Sequence, residues 1–190
     1  MFSFKKKYFF IIENIKDINL RNIKKRGKFN IIYRNNGKTE KLDNLIKFRK
    51  KCKLKRIKFF VANNIILGIN LKSDGIYISA HNKNLKSLNL KRFNFEIIGS
   101  AHNHKEIMLK RLQGCKYIFL SKLFMVDYKK KENYLGVIKF NRYSRTYLNK
   151  IIPLGGIKYS NLNKLKNVYS EGFAILTAIK KKPAIFDRLF

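Results

Sequence analysis

Eight short segments of this chain are apolar almost without interruption and rich in Ile, Phe, Tyr and Leu. Near-continuous apolar runs are typical of parallel strands covered on both faces, whereas a half-solvated strand alternates apolar and polar residues. We therefore predict eight parallel strands, at residues 7–13, 28–34, 57–62, 75–79, 95–100, 116–121, 151–155 and 172–176.

Residues in the intervening segments recur at helical spacing. Apolar residues three or four positions apart share one face of a helix, which would pack on the sheet. The pattern predicts three helices with these core faces: Leu42, Leu45 and Ile46 in 40–51; Ile107, Met108 and Leu112 in 103–114; Leu162, Leu165 and Val168 in 160–168. Helical patterns in 16–26 and 83–91 are weaker.

Capping residues mark the ends of two of these helices. Asn103, with Glu106 three residues later, resembles a capping box, and Gly114 stands where a C-terminal glycine belongs. Ser160 is the expected N-cap of the last of the three helices. Strand–helix alternation repeated about eight times predicts one α/β domain over residues 1–190, a (β/α)8 TIM barrel with short helices.

The loops after the carboxyl ends of the strands form the functional face of such a barrel. Gly155 ends the seventh predicted strand and Gly156 follows it. Because neither has a Cβ, the backbone N–H groups of this turn can approach an anion closely. The pattern therefore predicts a phosphate site at this turn and at the loop after the eighth strand.

The chain is strongly basic, with 44 Lys and Arg against 11 acids and a formal charge of +33. Such a charge is typical of proteins that bind nucleic acid or anionic membranes. However, the lysines run from Lys5 to Lys182, together with many Asn and Ile, which favours the drift of an AT-rich coding sequence. We expect no specific nucleic-acid partner. A basic nucleic-acid-binding protein remains an alternative, which predicts oligonucleotide binding that survives physiological salt.

The cysteines and the lengths of the apolar runs indicate the cellular compartment of the protein. Cys52 and Cys115 are the only cysteines, without Cys-x-x-Cys or metal-ligand spacing, as expected of reduced thiols in a cytoplasmic protein. The apolar run 8–12 is too short for a signal-peptide core, and no run approaches the roughly 18 residues of a membrane span. We expect a cytoplasmic protein without membrane contact.

Five segments resemble motifs of the thiamine-phosphate synthase/TenI family, in the family's order and spacing. They are 71–78 (LKSDGIYI), 97–103 (IIGSAHN), 114–124 (GCKYIFLSKLF), 153–157 (PLGGI) and 171–179 (EGFAILTAI). The resemblance covers roughly residues 57–180, and the first 50 residues match only in outline. It implies a TIM barrel of thiamine biosynthesis. The synthase joins an aminopyrimidine methyl diphosphate to a thiazole phosphate, and Mg²⁺ helps the diphosphate leave.

The resemblance also implies where the thiazole phosphate binds. The matching positions are Gly155, Gly156, Ile157, Leu176 and Thr177. A bulky residue at Gly156 is expected to abolish binding of the phosphorylated ligand with little loss of folding.

The diphosphate and metal half of the family's site is reduced in this chain. Arg34 and Lys129 are retained from two family motifs and would hold diphosphate. The family's metal-binding aspartates are replaced by Asn64 and Asn82, which would surround a weak Mg²⁺ together with Asn63. Mg²⁺ strongly prefers carboxylate oxygens, so the loss of both charges should weaken the metal site.

Lys122, Ser100 and His102 are candidate catalytic residues. The family usually has Pro at Lys122, and some TenI relatives have His. A Lys desolvated in the barrel mouth can carry a proton, and the alternative is a solvated surface lysine. His102 follows Ser100 after the fifth strand, where it would face substrate or fix the loop by hydrogen bonds. His81 and His104 are expected at the surface.

A second hypothesis keeps the barrel but changes the chemistry. Some TenI relatives aromatise a thiazole phosphate tautomer by proton transfer, and others have no settled activity. The chain would then be such an isomerase or a non-catalytic sensor of a phosphorylated ligand. Metal independence and sensitivity to Lys122→Ala would distinguish this hypothesis from a synthase.

Overall fold

Eight parallel strands close into a barrel in chain order in the computed structural model, which describes residues 7–23, 27–35, 37, 40–85, 93–126, 133–147 and 150–176. The strands are β1 Lys7–Ile12, β2 Phe29–Tyr33, β3 Lys58–Ala62, β4 Gly75–Ile78, β5 Glu96–Ala101, β6 Tyr117–Ser121, β7 Lys150–Leu154 and β8 Gly172–Ile175. Pairing of β1 with β8, with Phe10 opposite Ile175, closes the ring. All eight predicted strands are confirmed to within one residue at each end.

Helices cover the outside of this barrel. The α-helices in the described residues are α1 Leu42–Leu54, α2 Ile65–Asn70, α3 His104–Leu112 and α4 Gly136–Thr146. Short 3₁₀ segments lie at Ile15–Asp17 and Leu20–Asn22, and a longer one at Tyr159–Asn167. The described part of the weak helical pattern predicted at 16–26 is therefore broken into 3₁₀ turns. Residues 24–26 and most of 83–91 lie outside the described residues. No helix in the described part of the chain is long and apolar enough to span a bilayer.

Helix α3 begins and ends as its sequence predicts. The Asn103 side chain accepts a hydrogen bond from Glu106 N at 2.9 Å, and Gly114 has a φ of +76° just beyond the helix. The predicted core face is wrong in part, because Met108 and Leu112 are 39% and 64% exposed. Lys110 is instead fully buried, so its aliphatic stem occupies the position that packs on the sheet.

The segment after β7 is a 3₁₀ helix rather than the predicted α-helix with Ser160 as its N-cap. It begins at Tyr159, with Lys158 at the N-cap position. The predicted core residues are nevertheless buried, namely Leu162, Leu165 and Val168. Their spacing of three matches the three residues per turn of a 3₁₀ helix, so the same residues reach the core in either conformation.

Aromatic side chains fill the barrel interior. The inward-facing cluster comprises Phe9, Ile11, Ile32, Phe60, Tyr77, Ile98, Tyr117, Phe119, Ile152 and Ala174. Alternate residues of the same strands pack outward beneath the helices, which is why the strand sequences are apolar on both faces. The interior is a packed core, so open space begins only at the carboxyl ends of the strands.

The amino ends of the strands carry ionic contacts around a buried tyrosine. The Lys7 ammonium donates to the Tyr117 hydroxyl. Glu96 Oε2 lies 2.6 Å from Lys58 Nζ and 3.5 Å from Lys116 Nζ. Ion pairs therefore link neighbouring strands at the amino ends. The carboxyl ends are where a functional site is expected.

Candidate functional site

A cavity of about 240 Å³ opens at the carboxyl ends of the strands. Six strand ends contribute to its walls, those of β2, β4, β5, β6, β7 and β8. Its polar and glycine lining includes Arg34, Tyr77, Ser79, His81, Ser100, His102, Ser121, Lys122, Gly155 and Gly156, and Ile157 and Leu176 add apolar contacts. The cavity lies on the face where barrel enzymes carry their active sites.

Most of the residues that the sequence singled out meet in this cavity. Those present are Arg34, Ser100, His102, Lys122, Gly155, Gly156, Ile157 and Leu176. Thr177 and Lys129 lie outside the described residues. Asn64 and Asn82 are described, but they are not among the residues that line the cavity.

The Gly155–Gly156 turn requires glycine for two reasons. Its φ angles are +91° and +68°, the left-handed region that side chains disfavour. A Cβ on Gly156 would also lie 2.2 Å from the carbonyl oxygen of Phe124, which is far inside contact distance. The turn from β7 thus packs directly against the backbone of the loop after β6.

The carbonyl groups of this turn are bonded away from the cavity. Gly155 O accepts from Phe124 N at 3.1 Å, and Gly156 O accepts from the Asn161 side chain at 2.8 Å. Among the described residues, none accepts a hydrogen bond from the N–H groups of Gly155, Gly156 or Ile157. Successive free N–H groups beside a cavity form a concave donor site suited to a phosphate.

Arg34 brings a cation to the same cavity. Its backbone N–H donates to Ile12 O at 2.8 Å, which extends the β1–β2 pairing and holds the residue at the rim. One guanidinium nitrogen lies 3.7 Å from Glu13 Oε1, and the buried Nε donates to no acceptor in the described part of the chain. Arg34 therefore retains donor capacity that an oxyanion can use.

Tyr77 is a cavity residue that the sequence analysis missed. It is 2% exposed, projects inward from β4 and is hydrogen-bonded to Ser100. Burial raises the pKa of Tyr77, and the Ser100 hydrogen bond and the Arg34 charge oppose that rise only in part. The site floor is thus a neutral phenol. An inward-facing tyrosine near the end of a strand was the available signal in the sequence.

His102 both lines the cavity and fixes its own loop. Glu106 Oε2 accepts from His102 N at 2.8 Å and lies 3.0 Å from His102 Nδ1. Burial alone would raise the pKa of Glu106, but these hydrogen bonds outweigh it and lower that pKa. His81 is exposed as expected and also lines the cavity, with its ring centroid 6.1 Å from that of His102. His104 is exposed and contacts the Tyr147 hydroxyl.

The candidate metal ligands have other structural roles. Asn64 caps α2, and its side-chain oxygen accepts from Leu67 N at 2.9 Å. The Asn82 side chain accepts from Asn84 N at 3.0 Å and donates to Asn63 Oδ1 at 3.2 Å. These neutral oxygens already serve backbone and amide donors, and so this donor set does not fit Mg²⁺. No group of three or more His, Cys, Asp or Glu suited to a metal exists among the described residues.

Comparison with known proteins agrees with this geometry. The family model described as thiamine monophosphate synthase matches residues 13–179. The thiamine-phosphate synthase of Prochlorococcus marinus is 27% identical over 139 residues, covering 73% of this chain and 40% of that protein. The corresponding enzyme of Actinobacillus pleuropneumoniae is 26% identical over 140 residues, covering 70% and 63%. The chain thus spans about two fifths of the length of the first of these relatives.

A solved structure shares the whole fold. Thiamine phosphate pyrophosphorylase from Pyrococcus furiosus superimposes with a TM-score of 0.70 over 98% of both chains, at 14% identity. At that identity the likeness shows the barrel fold alone. The family model, which spans most of the chain and includes the Gly155–Gly156 turn, shows more: this chain belongs to the thiamine monophosphate synthase family.

Proposed function

We propose that this protein is a transferase that makes thiamine phosphate, by joining an aminopyrimidine methyl diphosphate to a thiazole phosphate with release of diphosphate. One observation carries the proposal: the Gly155–Gly156 turn, whose N–H groups have no acceptor among the described residues, and the cationic side chain of Arg34 line the same cavity. Two anion-binding groups in one cavity suit a reaction between two phosphorylated substrates.

The thiazole phosphate is the ligand assigned to the glycine turn. The N–H groups of Gly155, Gly156 and Ile157 would donate to its phosphate oxygens, and Leu176 with Thr177 would close the site from the β8 side. Backbone donors suit this role because they are held rigidly by the β6–β7 hydrogen bonds. No reorganisation of the donors is then needed on binding.

The diphosphate is assigned to the cations on the other strand ends. Arg34 and Lys122, together with Lys129, would neutralise the charge that grows as the methylene C–O bond breaks and diphosphate leaves with the electron pair. The thiazole ring nitrogen then supplies its lone pair to the methylene carbon and forms the new C–N bond. Tyr77, Ser100 and His102 line the same cavity, and we assign them to hold the aminopyrimidine.

The other hypotheses have less support. The relatives named above are described as thiamine-phosphate synthases, which favours synthesis over a TenI-like isomerase or a sensor. The cavity is of a size that suits small phosphorylated ligands, which favours them over nucleic acid as partners of this protein. Two free, buried thiols are consistent with our expectation of a cytoplasmic enzyme.

A synthesis assay tests the proposal. Purified protein would be mixed with both substrates, and thiamine phosphate detected by its fluorescence after oxidation. We expect product above the no-enzyme control, and a loss of about tenfold or more with Arg34→Gln, because a charged hydrogen bond is removed. Arg142→Gln, on the exposed face of α4, is the matched control and should retain activity. If no product forms above the no-enzyme control, the proposal is wrong, whether or not thiazole phosphate binds.

A further inference from the structure

The ends of β3 and β4 are held together by a closed network of neutral side chains. Asn63 Oδ1 accepts from Ser79 N at 3.0 Å and from Asn82 Nδ2 at 3.2 Å. Asn63 Nδ2 donates back to Ser79 Oγ at 3.1 Å. Because an amide oxygen has two lone pairs, both acceptor positions of Asn63 are in use. The two loops are therefore joined directly by hydrogen bonds.

A buried lysine lies against this network. Lys110 is fully buried, and its Nζ donates to Asn82 O at 2.8 Å and to Gln113 Oε1 at 2.8 Å. Gln113 Nε2 also donates to Asn82 O, at 3.0 Å. The loop that carries Asn82 is thus anchored by a cationic side chain. A dication bound near Asn82 would meet repulsion there, poorly screened by solvent.

The wall of the cavity is positively charged, like the Lys110 side chain beside Asn82. Its permanently charged lining residues, within the described part of the chain, are Arg34 and Lys122, and no Asp or Glu is among them. Such a wall disfavours a free divalent cation and attracts diphosphate. The buried Nε of Arg34 also has no hydrogen-bond acceptor among the described residues.

We infer that this protein binds diphosphate without a divalent metal ion, with Arg34 and Lys122 supplying the positive charge and the Asn63–Ser79–Asn82 network ordering the loops. The inference rests on the proposed function for the identity of the substrate. It concerns this chain's own residues, because the side-chain oxygens of Asn63, Asn64 and Asn82 are neutral and already accept hydrogen bonds. The diphosphate leaving group is then neutralised by side chains throughout the reaction.

Calorimetry with inorganic diphosphate tests the inference. The protein would be treated with a chelator and titrated with diphosphate. We expect binding in the presence of chelator, weakened about tenfold or more by either Arg34→Gln or Lys122→Gln, because each removes a charged donor. Arg142→Gln should bind as the wild type does. If diphosphate binds only after a divalent ion is added, the inference is overturned.

Spectroscopy with Mn²⁺ supplies a second readout. Electron paramagnetic resonance should show no Mn²⁺ held by the diphosphate-saturated wild type beyond a diphosphate-only control. The double variant Asn64→Asp/Asn82→Asp should gain Mn²⁺ binding, and Asp can still cap α2. Retention of one Mn²⁺ per wild-type chain would overturn the inference.

The two proposals fail in different ways. If thiamine phosphate is made and its synthesis is lost with chelator, the proposed function stands and the metal-free inference is wrong. If diphosphate binds in chelator but no product forms, the binding inference stands and the proposed function is wrong.

Discussion

Gly155 lies directly against Lys122, because a Cβ on Gly155 would be 3.3 Å from both Cα and Cβ of that lysine. Two hydrogen bonds join the loops on either side of this contact: Leu123 N donates to Leu154 O at 2.9 Å, and Phe124 N donates to Gly155 O at 3.1 Å. The Gly155–Gly156 turn and the candidate catalytic lysine are therefore parts of one packed unit. A change in the turn will alter the position of Lys122.

Alanine at the two glycines should have different effects. A left-handed φ costs an alanine about 1–2 kcal/mol at either position. At Gly156 the Cβ also meets the Phe124 carbonyl oxygen at 2.2 Å, and so Gly156→Ala should destabilise the protein more. At Gly155 the Cβ meets only Lys122, at 3.3 Å. Thermal unfolding and titration with thiazole phosphate would measure the two effects.

The structure thus changes an expectation from the sequence. A bulky residue at Gly156 should not leave folding intact, because backbone atoms of the β6 loop occupy its space. Gly155→Ala is the cleaner probe of ligand binding, and it should weaken binding with the smaller loss of melting temperature. Equal melting temperatures for the two variants would contradict the packing at Gly156.

Stability should fall in acid through Glu96. Burial would raise the pKa of Glu96, but the hydrogen bond and charge of Lys58, with the charges of Lys116 and Lys7, lower it from 4.5. A carboxyl with a depressed pKa stabilises the fold above its unfolded pKa. That contribution is lost as pH falls below about 4.5 through the folded pKa.

Glu96→Gln isolates this contribution. The variant should melt at a lower temperature than wild type at pH 7, and the difference should shrink as pH drops below about 4.5. High salt should also reduce the difference, because the Lys58 side chain is half exposed. A difference that stays constant from pH 7 to pH 3 would contradict the ion-pair origin.

Lys110 should be essential to the β4 loop despite its charge. Lys110→Ala leaves a cavity and removes the donor to Asn82 O and Gln113 Oε1, at an expected cost of about 3 kcal/mol or more. For a chain of this size, the melting temperature should fall by about 6–12 °C. Lys105→Ala, exposed on the same helix, is the control and should change it little.

Both cysteines should be unreactive in the folded protein. Cys52 and Cys115 are 0% and 1% exposed, and burial raises the pKa of each thiol to about 12. The thiolate is the reactive form, so a thiol reagent at pH 8 should label neither residue in native protein. After unfolding in guanidinium, both of the chain's 2 cysteines should react. Rapid labelling of the native protein would contradict this burial.

Sequence alone determined the barrel and the position of its Gly155–Gly156 turn. Residues 59–62 and 117–120 are unbroken apolar and aromatic runs, a pattern typical of strands buried on both faces. Gly155 and Gly156 were informative because a missing Cβ lets the backbone adopt a left-handed φ and approach a ligand closely. These signals are local, and so they can be read from adjacent residues without knowledge of the fold.

Tertiary structure decided which side chains meet. Leu162 and Leu165 have a spacing that suits an α-helix and a 3₁₀ helix alike, and packing selected the latter. Tyr77 meets Ser100 and Arg34 only because β2, β4 and β5 converge at one end of the barrel. The Asn82 side chain donates to Asn63, and its backbone oxygen accepts from Lys110, which its local sequence does not predict. Contacts between residues far apart in sequence depend on the register of closed strands, and no local pattern of residues encodes that register.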